Sequence, residues 1–438
     1  MAKKNIEKET TQQSLNKSLM NYLDNSPTAY HAVANAEEML IEKGYKELCE
    51  GDKWKVAAKG KYYIKRNNSS LIAFNLSGPV SQGFRMYGAH TDSPCLKVKP
   101  NSDRRFRNYL QVAVEPYGGS LLSTWFDRGL SLAGRVNYLT KKGERAQLLI
   151  DFKRPVAFIP NLAIHLDRQA NDGKSYNKQR DLPPVLMQFD NSNKEMGLKD
   201  LVQSEIEKRD LAPNLERILD FDLSFYDAQE AEFVGWNEEF ILSSRIDNLL
   251  SCHVGLMSFL ETDGINKLLI FNDHEECGST SHVGADGPFL ESVLKRLTKE
   301  EEEYARMIFN SFFISADNAH GIHPNFSDRH EDNHAPLLNV GPVIKINTNQ
   351  RYSTTDETAA IFIRLCQMSE VPYQKFVARS DLGCGSTIGP ITTSRIGVRA
   401  VDIGLPTWAM HSIRESMGSK DAFYLYKALE VYFTEKEI

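Results

Sequence analysis

Apolar positions along the chain repeat with two different periods, and the elements they predict alternate. After Ser26-Pro27-Thr28, apolar residues recur at helical spacing and stop near Gly44, which predicts a helix with a capped start and a glycine stop. Residues 62–76 predict two strands around an Asn67-Asn68 turn. Four further apolar runs predict strands that lead into polar clusters. Residues 84–87 run into Gly88-Ala-His-Thr-Asp92, and residues 267–271 into Asn272-Asp-His-Glu-Glu276. Residues 308–314 lead into Ser315-Ala-Asp-Asn-Ala-His320, and residues 400–403 precede Met410-His-Ser412 by one loop. Helical spacing returns over 288–306 and 355–370. Alternating strands and helices predict an α/β sheet, and such sheets carry their chemistry beyond the carboxyl ends of the strands, where these polar clusters fall. The first fifteen or so residues are polar and read as loose.

One stretch breaks the alternation. Between 101 and 233 there are several strand-like runs, among them Leu110-Gln-Val-Ala-Val114 and Ala146-Gln-Leu-Leu-Ile150, with frequent turn signals and few His/Asp/Glu clusters. It reads as a β-rich insertion. The predicted division is residues 1–100 and 234–438 for one domain and 101–233 for the insertion.

Composition narrows the class. With 438 residues, 41% of them hydrophobic, the chain can bury a full core. A net charge of −6, from 52 basic and 58 acidic residues, gives no electrostatic reason to expect nucleic acid or an anionic membrane as partner. No apolar run approaches the ~20 residues of a membrane-spanning helix. The start, Met-Ala-Lys-Lys-Asn-Ile-Glu-Lys-Glu, has no apolar core of a secretory signal, and the six cysteines are scattered without a Cys-x-x-Cys. The expectation is a cytoplasmic protein with reduced thiols.

The polar clusters offer what a pair of zinc ions needs: about four nitrogen or oxygen ligands each, one shared carboxylate and one free carboxylate as general base. His90 offers an imidazole, with Asp92 two residues on to fix its ring. Asp247 is a carboxylate in a largely apolar setting, Glu275 and Glu276 form an acidic pair after a strand, Asp317 follows the next strand, and His411 completes the set. Each has a plainer reading: a structural histidine, a solvated acidic pair, a turn-capping aspartate. Their placement after successive predicted strands favours a metal hydrolase. His330-Glu-Asp-Asn-His334 also fits the H-E-x-x-H pattern of single-zinc proteases. That motif needs a helix, and Asp332, Asn333 and Pro336 argue for a loop instead.

The chain resembles the aspartyl aminopeptidase family of dinuclear zinc exopeptidases from about residue 20 to its end. The matching stretches are Gly88-Ala-His-Thr-Asp-Ser-Pro-Cys-Leu-Lys-Val-Lys-Pro100, Leu121-Leu-Ser-Thr-Trp-Phe-Asp-Arg128, Ala163-Ile-His-Leu166, Ser315-Ala-Asp-Asn-Ala-His-Gly-Ile-His-Pro-Asn325, Gly341-Pro-Val-Ile-Lys-Ile-Asn347, Cys384-Gly-Ser-Thr-Ile-Gly-Pro390 and Ala409-Met-His-Ser-Ile-Arg-Glu415. The resemblance implies a mixed-sheet α/β zinc-exopeptidase domain interrupted by a β-rich dimerisation domain. It implies two zinc ions per subunit, His90 and Asp317 holding one, Glu276 and His411 the other, with Asp247 bridging. Glu275 would be the general base on the water the ions activate, and Asp92 would orient His90. His165, read as a histidine in a strand, would complete a neighbouring subunit's site. Lys345, His320 and His323 would bind substrate, with a lysine reaching solvent from an edge strand and loop-capping histidines as the alternatives. The assembly would be a homo-oligomer, a tetrahedral dodecamer of dimers acting on peptides. Ser244 and Cys277 stand where the family more often has proline and valine.

The expected activity is removal of the N-terminal residue from peptides, Asp or Glu by preference. An aminopeptidase of neutral residues, a metal-dependent deacylase or amidase, and a non-catalytic assembly protein are the rival readings. A requirement for a free α-amine separates an aminopeptidase of acidic or neutral residues from a deacylase or amidase. The presence of all five ligand candidates and Glu275 argues against the last.

Overall fold

Strands 267–272 and 312–316 are buried at every position, so neither face of their sheet meets water. That requires helices on both sides. The computed structural model, which describes residues 10–190 and 196–437, is built on a nine-stranded mixed sheet. Its strands, from edge to edge, are Lys46–Glu47, Gly60–Arg66, Ser70–Leu76, Lys267–Asn272, Arg85–His90, Phe312–Ala316, Arg399–Gly404, Val343–Lys345 and Gln374–Phe376.

Alternate residues of each strand enter opposite cores. Leu269 and Phe271 pack with Tyr87, Phe312 and Ile314 under helices Gln12–Asp24, Ala29–Glu42, Ile246–Glu261, Asp356–Met368 and Asp421–Thr434. Leu268 and Ile270 pack with Met86 and Phe313 against Phe289–Leu297, Glu301–Phe309 and Ile388–Ile396. The Ile246–Glu261 helix lies close on the Arg85–His90 strand because position 255 is glycine: a Cβ there would come within 2.1 Å of the Tyr87 ring.

Most predicted elements are present. The 29–42 helix is capped at Thr28, and Asn67 and Asn68, both at positive φ, turn the 60–76 hairpin. Three expectations change. The chain start is not loose through residue 15, since Thr11 caps a helix from Gln12 whose Leu15, Leu19 and Leu23 are buried; residues 1–9 lie outside the described part. The 288–306 pattern is two helices, broken at Thr298–Glu300. Ile308 lies in the last turn of the second of these, which runs to Phe309, and the strand begins only at Phe312.

A separate six-stranded antiparallel sheet has the order Arg145–Asp151, Leu130–Thr140, Leu215–Asp227, Cys95–Phe106, Tyr109–Tyr117 and Val185–Gln188. It has its own core around Leu132, Val136, Leu223 and Phe225, closed by helix Leu198–Lys208. Its first strand starts at Cys95, six residues before the predicted boundary.

His253, on the Ile246–Glu261 helix, is fully buried, its Nε2 2.8 Å from Ser18 Oγ. Burial alone lowers its pKa to about 3. Between about 6.5 and 3 the unfolded chain therefore binds a proton that the folded chain does not, so stability falls as pH falls. By pH 5 the loss is about 2 kcal/mol, taking about 1.4 kcal/mol per pH unit. Urea unfolding at pH 7.5 and pH 5 should show His253→Gln losing about that much less than the parent on acidification. Equal losses would refute the assignment.

Candidate metal centre

The residues singled out by the sequence meet at the carboxyl edge of the nine-stranded sheet. His90 ends the Arg85–His90 strand, and Asp317 directly follows the adjacent parallel strand, Phe312–Ala316. Glu275 and Glu276 lie in a single 3₁₀ turn after Lys267–Asn272, which begins from His274 at positive φ. That turn, rather than simple strand alternation, separates the two carboxylates. Asp247 opens the Ile246–Glu261 helix, and His411 arrives on the loop after strand Pro406–Trp408.

Their atoms converge. His90 Nε2 stands 3.5 Å from Asp247 Oδ1 and 3.6 Å from Asp317 Oδ1. His411 Nε2 stands 3.5 Å from Asp247 Oδ2 and 3.3 Å from Glu276 Oε2. Asp247 thus faces one imidazole with each oxygen. His90, Asp247 and Glu276 offer ligand atoms all within 4.8 Å of one another. A tetrahedral zinc with ligands at about 2.0–2.1 Å spaces those ligands about 3.3 Å apart, which matches these separations better than direct hydrogen bonds do. Asp247 Oδ1 and Glu276 Oε1 are also buried without a hydrogen-bond partner, an arrangement that costs free energy unless a cation satisfies them. The residues present fit zinc.

The electrostatics agree. Burial pushes Glu275 up to about 7, helped by the carboxylates of Asp317, Asp92 and Asp247. Burial and Asp247 raise Glu276 well above the carboxylate range. Burial opposes charge on His90, yet contact with Asp247, Asp317 and Asp92 outweighs it and raises the imidazole. Burial likewise opposes ionisation of Asp247, but His411 and His90 hold its carboxyl far below the ordinary value. So much clustered negative charge calls for compensating cations.

The supporting contacts are specific. The His90 Nδ1 position is set by the Asp92 carbonyl at 3.1 Å, with the Asp92 carboxylate at 3.4 Å. That carboxylate mainly accepts from the Glu275 and Glu276 N–H groups, at 3.1 and 3.0 Å, and from the Tyr117 hydroxyl at 2.6 Å. Buried Glu415 accepts the N–H groups of Asp247 and His411 at 2.8 and 2.7 Å. Sequence reasoning assigned no role to Tyr117 or Glu415. Glu415 ended a matching motif and could have been weighed there, whereas nothing in the chain marks Tyr117.

Lys345 joins the cluster. Its strand lies inside the sheet, its side chain is 4% exposed, and Nζ is 3.6 Å from Asp317 Oδ2, so the solvent-reaching alternative falls. Desolvation lowers the pKa of the His320 imidazole, and the charge of Lys345 lowers it further. His323 is instead tied into its own loop, Nδ1 accepting from the Asn325 N–H and its backbone N–H donating to His330 Nε2. His165 is exposed in a turn, not a strand, and makes no hydrogen bond or ion pair to these residues within the chain. The H-E-x-x-H stretch is loop: His334 Nδ1 pairs with Glu331 at 2.6 Å, and residues 330–334 form no helix. Ser244 is buried with its hydroxyl unpartnered, and Cys277 is exposed. No described helix is long and apolar enough to cross a membrane.

Known proteins resemble the chain over most of its length. The model of the aminopeptidase I zinc metalloprotease (M18) family matches residues 22–433. A probable M18 family aminopeptidase 2 of Pseudomonas paraeruginosa is 53% identical over 97% of this chain and 99% of its own length. Among solved structures, a chain of the Ape4 and Nbr1 complex superposes with a TM-score of 0.93 at 38% identity, covering 96% of this chain and 86% of that one. The mApe1 dodecamer of S. cerevisiae superposes with a TM-score of 0.83 at 28% identity, covering 97% of each chain.

Proposed function

The chain belongs to the M18 family of zinc metalloproteases and is an aminopeptidase, and from that premise we propose that it removes single N-terminal residues, acidic ones by preference, at a site holding two zinc ions. The observation that carries this is the convergence of His90, Asp247, Glu276, Asp317 and His411 at 3.3–3.6 Å, with a buried lysine beside them. In this reading His90 and Asp317 would hold one ion, Glu276 and His411 the other, and Asp247 would serve both.

When bound, the ions supply Lewis acidity, polarising the scissile carbonyl and acidifying water. Glu275 takes the proton of the attacking water on its carboxylate and returns it to the leaving amine. Its raised pKa, about 7, suits a group that gains and loses a proton near neutrality. The acidic walls of the site receive the substrate's α-ammonium, which makes the enzyme an exopeptidase. Lys345 Nζ receives the carboxylate of an N-terminal Asp or Glu, with His320 and His323 nearer the mouth.

The partners follow the same pattern. Phe158, Leu162, Ile164 and Leu166, on the six-stranded unit, are 48–75% exposed, apolar side chains that a subunit interface would cover. They flank His165, which supports a dimerisation role for that unit and His165 as a group offered to a neighbouring site; the likeness to the S. cerevisiae mApe1 dodecamer supports a dodecamer of such dimers, for which tetrahedral symmetry is our proposal. Six free cysteines among the described residues suit a reducing cytoplasm.

Lys345→Met tests the pocket. Removing one member of a buried charge pair costs about 2–5 kcal/mol, so kcat/KM on Asp- and Glu-initiated peptides should fall about 30-fold or more while Leu-initiated peptides change little. A parallel fall on all three would remove the specificity role. Cleavage of N-acetylated peptides as fast as free ones would favour an amidase.

A further inference from the structure

The two halves of the centre are framed differently. His90 and Asp317 sit at the ends of adjacent, hydrogen-bonded strands in the interior of the nine-stranded sheet. Glu276 and His411 sit on a 3₁₀ turn and a loop, and what steadies them comes largely from elsewhere. Strand Tyr109–Tyr117 of the six-stranded sheet ends at the site, and the chain then passes along both groups. The Tyr117 hydroxyl donates to Asp92 Oδ2 at 2.6 Å, and Asp92 accepts the N–H groups of Glu275 and Glu276. Gly118, at φ +68°, lies so close that a Cβ there would be 3.2 Å from Glu276 Cβ. The Gly119 carbonyl stands 3.3 Å from His411 Nδ1, and the Leu121 N–H donates to the His411 carbonyl at 2.9 Å. A proton held on Nδ1 by Gly119 leaves the Nε2 lone pair facing Asp247 and Glu276, the tautomer a ligand histidine needs.

We infer that Tyr117-Gly118-Gly119 is a positioning segment that the six-stranded unit lends to the metal centre: it sets Glu276 and His411, so that retention of one of the two zinc ions depends on how that unit is seated. This rests on the two-zinc reading above. Tyr117 and Gly119 touch neither substrate nor reacting atoms; they act through Asp92, Glu276 and His411. The segment has little room to change. Gly118 needs its positive φ, and a Cβ at Gly119 would lie 3.0 Å from His411 Nδ1. Gly119 itself has no positive φ, so Gly119→Ala adds crowding at His411 without backbone strain.

The test is a chelator titration of zinc-loaded, full-length protein, with zinc per chain measured by mass spectrometry. The parent, Tyr117→Phe and Gly119→Ala are compared after circular dichroism and assembly mass have been shown to match. Both variants should release one ion at 10- to 100-fold lower free chelator while holding the other as the parent does, the range typical of removing a ligand's supporting hydrogen bond. The kcat should fall with KM close to the parent value. Two ions held as tightly as in the parent, or both released together, would overturn the inference. If Gly119→Ala misassembles, Tyr117→Phe, which removes a single oxygen, still decides the matter. A parent that binds one ion at saturation sinks the two-zinc reading itself, and a variant effect on a normally loaded parent cannot be confused with that result.

Discussion

Glu275→Gln will lower kcat by about three to four orders of magnitude and leave zinc content unchanged. The substitution keeps the shape of the side chain and the backbone N–H that Glu275 gives to Asp92, at 3.1 Å. It removes only the capacity to carry a proton. General-base help in a hydrolysis is typically worth about 10²- to 10⁴-fold, and in this site no second carboxylate can substitute, because Asp247, Glu276 and Asp317 face imidazole nitrogens. KM should move little, since the α-ammonium and first side chain of the substrate are held by other groups. Steady-state kinetics on free and acetylated Asp-initiated peptides, beside zinc analysis, decide it. Activity above about a tenth of the parent would remove Glu275 from the proposed role.

Asp247→Asn should be nearly as severe for a different reason, and it should lower stability both with and without zinc. Each Asp247 oxygen stands 3.5 Å from one imidazole nitrogen, Oδ1 toward His90 and Oδ2 toward His411. An amide can present only one acceptor, so at least one zinc should bind 100-fold or more weakly and activity should fall to background. The metal-stripped protein should also melt lower than the stripped parent. His411 and His90 hold the Asp247 carboxyl far below its ordinary value, so its charge stabilises the metal-free fold at neutral pH. Added zinc should then stabilise the variant far less than the parent, because stabilisation by a ligand scales with its affinity for the folded state. Melting curves with and without zinc test both losses. A variant that zinc stabilises as fully as the parent would show that Asp247 is not shared between the ions.

Several parts of this protein were legible in the chain alone. Strands whose two faces are both covered carry unbroken apolar runs, as residues 268–271 do, and they stand out as runs that stop at a polar residue. Since such sheets open their sites at strand ends, His90, Glu275, Glu276 and Asp317 could be found simply as the polar residues next along the chain. The Asn67-Asn68 turn and the helix start after Thr28 were equally visible, because they depend on neighbours two or three residues away. Where local pattern misled, the competing signal was also local. Phe309 to Ile314 is apolar on both sides of a helix end, and only the hydrogen bonds of Asn310 and Ser311 back to Arg306 and Ile308 decide where the helix stops.

What tertiary structure alone decided is the meeting of residues far apart in sequence. Asp247 lies 157 positions from His90 and 164 from His411, yet it faces both, and no periodicity in the chain records that distance. Lys345 could have reached solvent from an edge; the pairing of its strand between two others makes it interior and brings it to Asp317. Tyr117 had no signal at all, being an ordinary tyrosine at the end of a strand in another sheet, and its role exists only because that sheet is seated where its last residue meets Asp92. The physical reason is common to all three. Local hydrogen bonds and side-chain periodicity are written into neighbouring residues, whereas the field and the hydrogen-bond partners inside a site are set by whichever groups packing of the whole chain brings within a few ångströms.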